Sequence, residues 1–152
     1  MATITLYGIL LFIVWSAPSL LTLSRYTYDL MSAAHFVTFL AAVVLFVLMG
    51  RSLTRYQLSR LATGLIVGAL VGAAGSVAES LIRRLPLYER TFVARIPNVP
   101  PQAALTMLQL HFWTSTILSA VMFALLLGGL GAIATWWGGR GQPATTSSAS
   151  HQ

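Results

Sequence analysis

The chain predicts an all-α fold: an integral membrane bundle of four helices, with a short interfacial helix between the third and fourth spans. Three observations lead there. Of its 152 residues, 57% are hydrophobic and only 8% charged, where a soluble domain would carry roughly a quarter charged residues to cover its surface. Apolar runs of about 20 residues, the length that crosses a hydrocarbon layer, recur along it. Its basic residues, all of them arginine, collect in the gaps between those runs, where they meet lipid phosphates and fix orientation.

Residues 1–137 read as one membrane domain and residues 138–152 as a disordered polar tail. The first span, about 3–23, has no basic region before it and no small-residue cleavage pattern after it, so it is expected to stay rather than to be removed as a signal. Pro18 lies inside it and would bend it, a loss of hydrogen bonding that neighbouring membrane helices can repair. A short link carrying Tyr26 and Tyr28, which suit the interfacial aromatic belt, leads to the second span, about 33–50. Arg51, Arg55 and Arg60 surround Tyr56 in the next link, and the third span follows over about 61–82, closed by Arg83 and Arg84.

Residues 85–102 hold Pro86, Pro97, Pro100 and Pro101 and cannot form one continuous helix. Between these prolines Tyr88, Phe92 and Ile96 recur at i, i+4 and i+8, a stripe that would lie on the bilayer surface although Arg95 interrupts it. Pro101 then opens a long fourth helix whose span is placed at about 104–137. Phe112 and Trp113 mark one of its interfaces, and Trp136 and Trp137 the other. The tail is small, polar and aperiodic, and its His151 carries no functional weight.

With four spans the two termini share a side with Arg51, Arg55, Arg60 and Arg140. Arg25, Arg83, Arg84, Arg90 and Arg95 fall opposite. Arginine usage thus hardly biases orientation, and a cytoplasmic placement of the termini is preferred on a narrow margin. Arginine without lysine suits a GC-rich bacterial genome, hence a bacterial inner membrane. The net charge of +6 is read as facing lipid rather than nucleic acid. No cysteine is present, which excludes disulfides, thiolate nucleophiles and Cys-ligated metals.

The third span carries a ladder of small residues at every fourth position: Gly64, Gly68, Gly72, Ser76 and Ser80. Such spacing lets two backbones approach closely, so this helix should be the centre of the bundle or a seam between copies. Glu79 is the acidic residue inside a span, close to the ladder face, and an intramembrane carboxylate asks for a partner or a purpose. Arg83, one turn on, supplies the partner. A sharper reading adds His35 and His111, which a four-pass topology brings to the same membrane side as Glu79. Two imidazoles and a carboxylate could ligate a divalent metal, and two facing imidazoles a haem iron, although no helix carries two ligands at i, i+4. The segments His35-Phe36-Val37-Thr38 and His111-Phe112-Trp113-Thr114 also share a pattern that a duplicated two-helix unit would leave.

Phosphate-binding glycine loops, nucleophile elbows and paired carboxylates are missing from the sequence. Thr114, Ser115, Thr116 and Ser119 suit helix hydrogen bonding better than catalysis. An enzyme is therefore not the leading expectation, and no cofactor is expected outside the haem or metal alternative. The leading reading is an accessory or scaffold protein that binds lipid and other membrane helices, as a homo-oligomer or within a larger complex. The alternatives are a small oligomeric transporter that exchanges protons or cations at Glu79, and a redox protein using His35 and His111.

Overall fold

The computed structural model describes residues 2–24, 27, 30–53, 57–110 and 112–140. Six helices make up the described chain: α1 (Ala2–Leu21), α2 (Met31–Ser52), α3 (Gln57–Ile82), α4 (Pro86–Arg95), α5 (Pro101–Gln109) and α6 (Phe112–Gly138). Among the described residues there is no strand. Four stretches, Thr3–Leu21, Met31–Ser52, Ser59–Ile82 and Phe112–Gly138, are long and apolar enough to cross a membrane. The first three agree with the predicted spans to within a few residues at each end.

The fourth differs. The helix opened by Pro101 does not run unbroken to Trp137: it stops at Gln109, and α6 starts afresh at Phe112. Leu110 takes an extended backbone, with φ −62° and ψ 131°. No proline or glycine forces this turn. Its effect is to lay α5 beside α4, so that α5 packs on the protein instead of projecting beyond the bundle. The predicted tail lies outside the described residues from 141 onward. Gly139 and Arg140, assigned to it from sequence, bond back to the carbonyls of Thr135 and Trp137 at 3.3 and 3.1 Å.

The long helices form a ring in which α1 and α6 each pack on both α2 and α3. Gly8 faces Val67 and Gly75 faces Trp15, so α1 and α3 run in the same direction. Gly64, Gly68 and Gly72 meet Gly131, Leu127 and Phe123 in turn, so α3 and α6 are antiparallel. The start of α1 and the end of α6 therefore lie at one end of the bundle. At the opposite end Thr91 of α4 donates to the carbonyl of Leu23, just past α1, at 3.3 Å.

Close approach of backbones explains why α3 and α6 form the tightest pair. A Cβ on Gly64, Gly68 or Gly72 would lie under 3.0 Å from the α6 main chain, so only glycine admits this separation. Gly50 of α2 and Gly138 of α6 fit in the same way, against the backbones of Thr135 and Val47. Around these contacts Leu11, Ala42, Phe46, Met49, Val67, Val71, Leu127 and Ala134 form the core. In lipid, where apolar burial alone gives little drive, such dense dispersion contact holds helices together. Large apolar side chains instead point outward, among them Leu70, Leu118, Leu125, Ile133 and Trp137.

Two local details complete the frame. Pro18 is accommodated fully buried inside α1, and the carbonyls near that helix's end are taken up by hydroxyls: Thr22 on Ser19 at 2.6 Å and Thr27 on Leu21 at 2.7 Å. The Tyr88 and Phe92 stripe of α4 is turned toward the protein at Tyr88, which is buried and stacks on Phe92 with centroids 6.3 Å apart.

Candidate functional site

Polar side chains gather at the two ends of the α3/α6 pair. At the end that holds the start of α1 and the end of α6, Arg60 is 6% exposed. Its Nε donates to the Leu53 carbonyl, just past α2, and its Nη1 to the Gly139 carbonyl, just past α6, at 2.8 Å. Helix C-termini present carbonyls without intrahelical donors and carry partial negative charge, so one guanidinium satisfies two such ends at once. Nearby, Arg140 stacks on Trp136, 3.3 Å from the ring centroid.

The opposite end encloses a cavity of about 190 Å³. It is built from Ser80 of α3 with Arg83 and Arg84 in the turn that follows, the first turn of α4 (Glu89), the end of α5 (Leu108 and Gln109) and the start of α6 (Phe112, Ser115 and Thr116). Four helix ends thus converge on one polar hollow. The Arg84 guanidinium lies over the Phe112 ring, 3.9 Å from its centroid, a cation–π contact that uses none of its N–H groups as hydrogen-bond donors. Thr116 and Ser115 donate to the Phe112 carbonyl at 2.8 and 3.3 Å, so their oxygen lone pairs remain free as acceptors.

Glu79 and Arg83 meet at 2.5 Å across one helical turn, with side chains 21% and 46% exposed. Arg83 therefore reaches both Glu79 and the cavity, whereas Glu79 does not line the cavity. The ladder residues Gly64, Gly68, Gly72, Ser76 and Ser80 are all buried, the glycines against α6 of the same chain, so the face proposed for helix packing is occupied within the molecule. Ser76 Oγ is buried without a hydrogen-bond partner.

His35 stands in the first turns of α2, its Nδ1 2.9 Å from the Met31 carbonyl. That contact requires the proton on Nδ1 and leaves Nε2 as the atom able to bind a metal. His111, its predicted partner, lies outside the described residues. Among the described residues no group of three or more His, Cys, Asp or Glu side chains is placed to hold a metal ion.

The Arg60 clamp and the convergence on Arg84 were not anticipated from sequence. A signal existed: the row of four-residue steps through Gly64 and Ser80 extends back to Arg60 and forward to Arg84, so both arginines continue the face that packs on α6. Compared with protein-family models, curated proteins and solved structures, the chain has no match.

Proposed function

We propose that the chain is a multi-pass protein of a bacterial cytoplasmic membrane, with both termini cytoplasmic, that works as an accessory or scaffold subunit for other membrane helices and for lipid. In this reading α4, which carries Arg90 and Arg95 and follows Arg83 and Arg84, sits at head-group level. The observation that carries the proposal is the closed α3/α6 seam inside an apolar outer shell. Where backbones touch at Gly64, Gly68 and Gly72, no row of polar groups can line a path between those helices. The large apolar side chains face out, toward whatever surrounds the bundle. Leu125 is 72% exposed and Leu70 66%, on opposite partners of the seam, so both flanks offer surface to lipid or to a second helix.

Photo-crosslinking in native membranes tests the proposal. A photoreactive residue replacing Leu125, Leu118 or Leu70 is expected to give a discrete protein adduct from one flank and lipid adducts from the other. Lipid adducts alone at every position would overturn the scaffold role. Proton or cation flux through vesicles holding the purified chain, abolished by Glu79→Gln, would replace it with the transport reading.

A further inference from the structure

We infer that the cavity between the ends of α3, α4, α5 and α6 is a binding site for a phosphodiester that carries a primary ammonium, the chemistry of an ethanolamine phospholipid head group. The inference rests on the membrane reading for the source of that ligand and on the cavity alone for its chemistry.

Charge and geometry select the ligand. Arg83 is half neutralised by Glu79 yet keeps donors beyond the one bonded nitrogen, since a guanidinium has five N–H groups. Arg84 lies over the Phe112 ring, 3.9 Å from its centroid, a contact that uses none of its N–H groups as hydrogen-bond donors, and a guanidinium so placed suits bidentate phosphate recognition. The first turn of α6, whose N–H groups have no partners within the helix, adds a partial positive charge at the same cavity. These features select an anion with several oxygens. Glu89 lines the same cavity, and among the described residues its carboxylate takes no ion pair. A purely anionic ligand would meet repulsion there, whereas an ammonium two carbons from a phosphate would find both partners. Gln109 and the lone pairs of Ser115 and Thr116 provide acceptors for the remaining ammonium protons.

Size and position agree with this choice. A volume of about 190 Å³ is roughly six times the share of one water in the liquid, enough for a phosphate with a short amino alcohol. The cavity opens at the end of two helices long enough to cross a membrane, α3 and α6, at the level where head groups lie. The outward apolar side chains of those helices, Leu81 and Leu118 among them, continue toward where acyl chains would run.

Detergent-purified full-length protein, examined by native mass spectrometry with added lipid, tests the site. The probes are dioleoylphosphatidylethanolamine, dioleoylphosphatidylglycerol and soluble glycerophosphoethanolamine. Wild type is expected to retain the ethanolamine lipid over the glycerol lipid. Arg84→Ala should weaken retention of both by about tenfold, the loss of one charge-assisted contact. Glu89→Gln, nearly isosteric, should keep phosphate binding and abolish the preference between the two lipids. Saturation by soluble glycerophosphoethanolamine as tightly as by the lipid would support the site and assign its ligand to a soluble source. Equal retention of both lipids by wild type, or wild-type binding in both variants at unchanged thermal stability, would overturn the inference. Carbonate extraction of the same proteins separates the failures: a chain released from membranes refutes the membrane reading, whereas one that stays but does not discriminate refutes only the site.

Discussion

Thr135 Oγ1 lies 3.1 Å from the main-chain carbonyl of Arg60, on the same turn of α6 that precedes the Gly139 carbonyl held by the Arg60 guanidinium. Arg60 is thus gripped through its backbone and its side chain by one helix end, while its Nε holds the end of α2. Three helices meet at a single residue, and the close packing of Gly139 on that guanidinium, where an added Cβ would fall under 3.0 Å from Nη1 and Cδ, shows how little room the arrangement leaves.

Arg60→Ala should therefore be among the most damaging substitutions at a polar position. It leaves two carbonyls at helix ends without donors, and each bond to a charged group contributes about 1.5–3 kcal/mol. Arg60→Lys should recover part of the loss, because a single ammonium cannot reproduce the spread of the guanidinium fork. Unfolding in mixed micelles of rising dodecyl sulfate fraction measures both. Equal stability of Arg60→Ala and wild type would show that water satisfies these carbonyls and that the clamp is incidental.

The glycine ladder supplies a sharper contrast. Gly68→Ala places a methyl group against the Leu127 carbonyl and must push α3 away from α6, a cost of about 1–3 kcal/mol for overpacking. Gly129→Ala, on the same α6 helix but with nothing within 4 Å of its added Cβ, should be neutral or stabilise by up to about 1 kcal/mol through helix propensity. The same micelle titration reads the pair. Similar effects from both would mean that glycine content, and not backbone contact, governs the bundle.

Much of this frame was legible in the sequence because hydropathy reports a local quantity. Each predicted span is a predominantly apolar run, and its bounds follow from where Arg51, Arg83 or Trp137 stands. The ladder of α3 was equally visible, since a four-residue period is written along one helix. Its partner row is also written in α6, in the small residues Ala124, Gly128, Gly131 and Thr135, but which helix that row meets is settled only by tertiary packing. The break at Leu110 escaped for a related reason, because Thr106 to Trp113 lacks any residue that ends a helix by its own chemistry and the turn serves the contact of α5 with α4. The arginines were seen as membrane-surface residues. That description misses Arg60, whose side chain is turned into the protein by one carbonyl 79 positions further along the chain and another seven positions back.

Glu79→Gln separates a structural carboxylate from a working one. The pair with Arg83 spans one turn near a helix end and is partly exposed, so its contribution is expected to be less than about 1 kcal/mol. The variant should insert, purify and unfold like wild type. It should also leave retention of the ethanolamine lipid within about twofold, since Glu79 stands outside the cavity wall and Arg83 keeps its other nitrogens. Loss of folding on this single change would assign the carboxylate a buried structural role that its exposure does not suggest.

Ser76 offers the opposite sign. Its hydroxyl, in a side chain 3% exposed, is buried without a partner, and leaving a buried polar group unsatisfied costs about 1–3 kcal/mol. Ser76→Ala removes the hydroxyl while keeping the small side chain that the ladder requires, so stability should rise, by up to about 1 kcal/mol once the small void left behind is counted. Ser80→Ala, one turn along and at the cavity wall, should gain less, because the cavity can hold water for its hydroxyl. Thermal unfolding of both variants in the same detergent gives the comparison. A clear loss at Ser76 would mean that the hydroxyl turns to bond the Gly72 carbonyl one turn back, and that this bond helps hold the centre of α3 straight against α6.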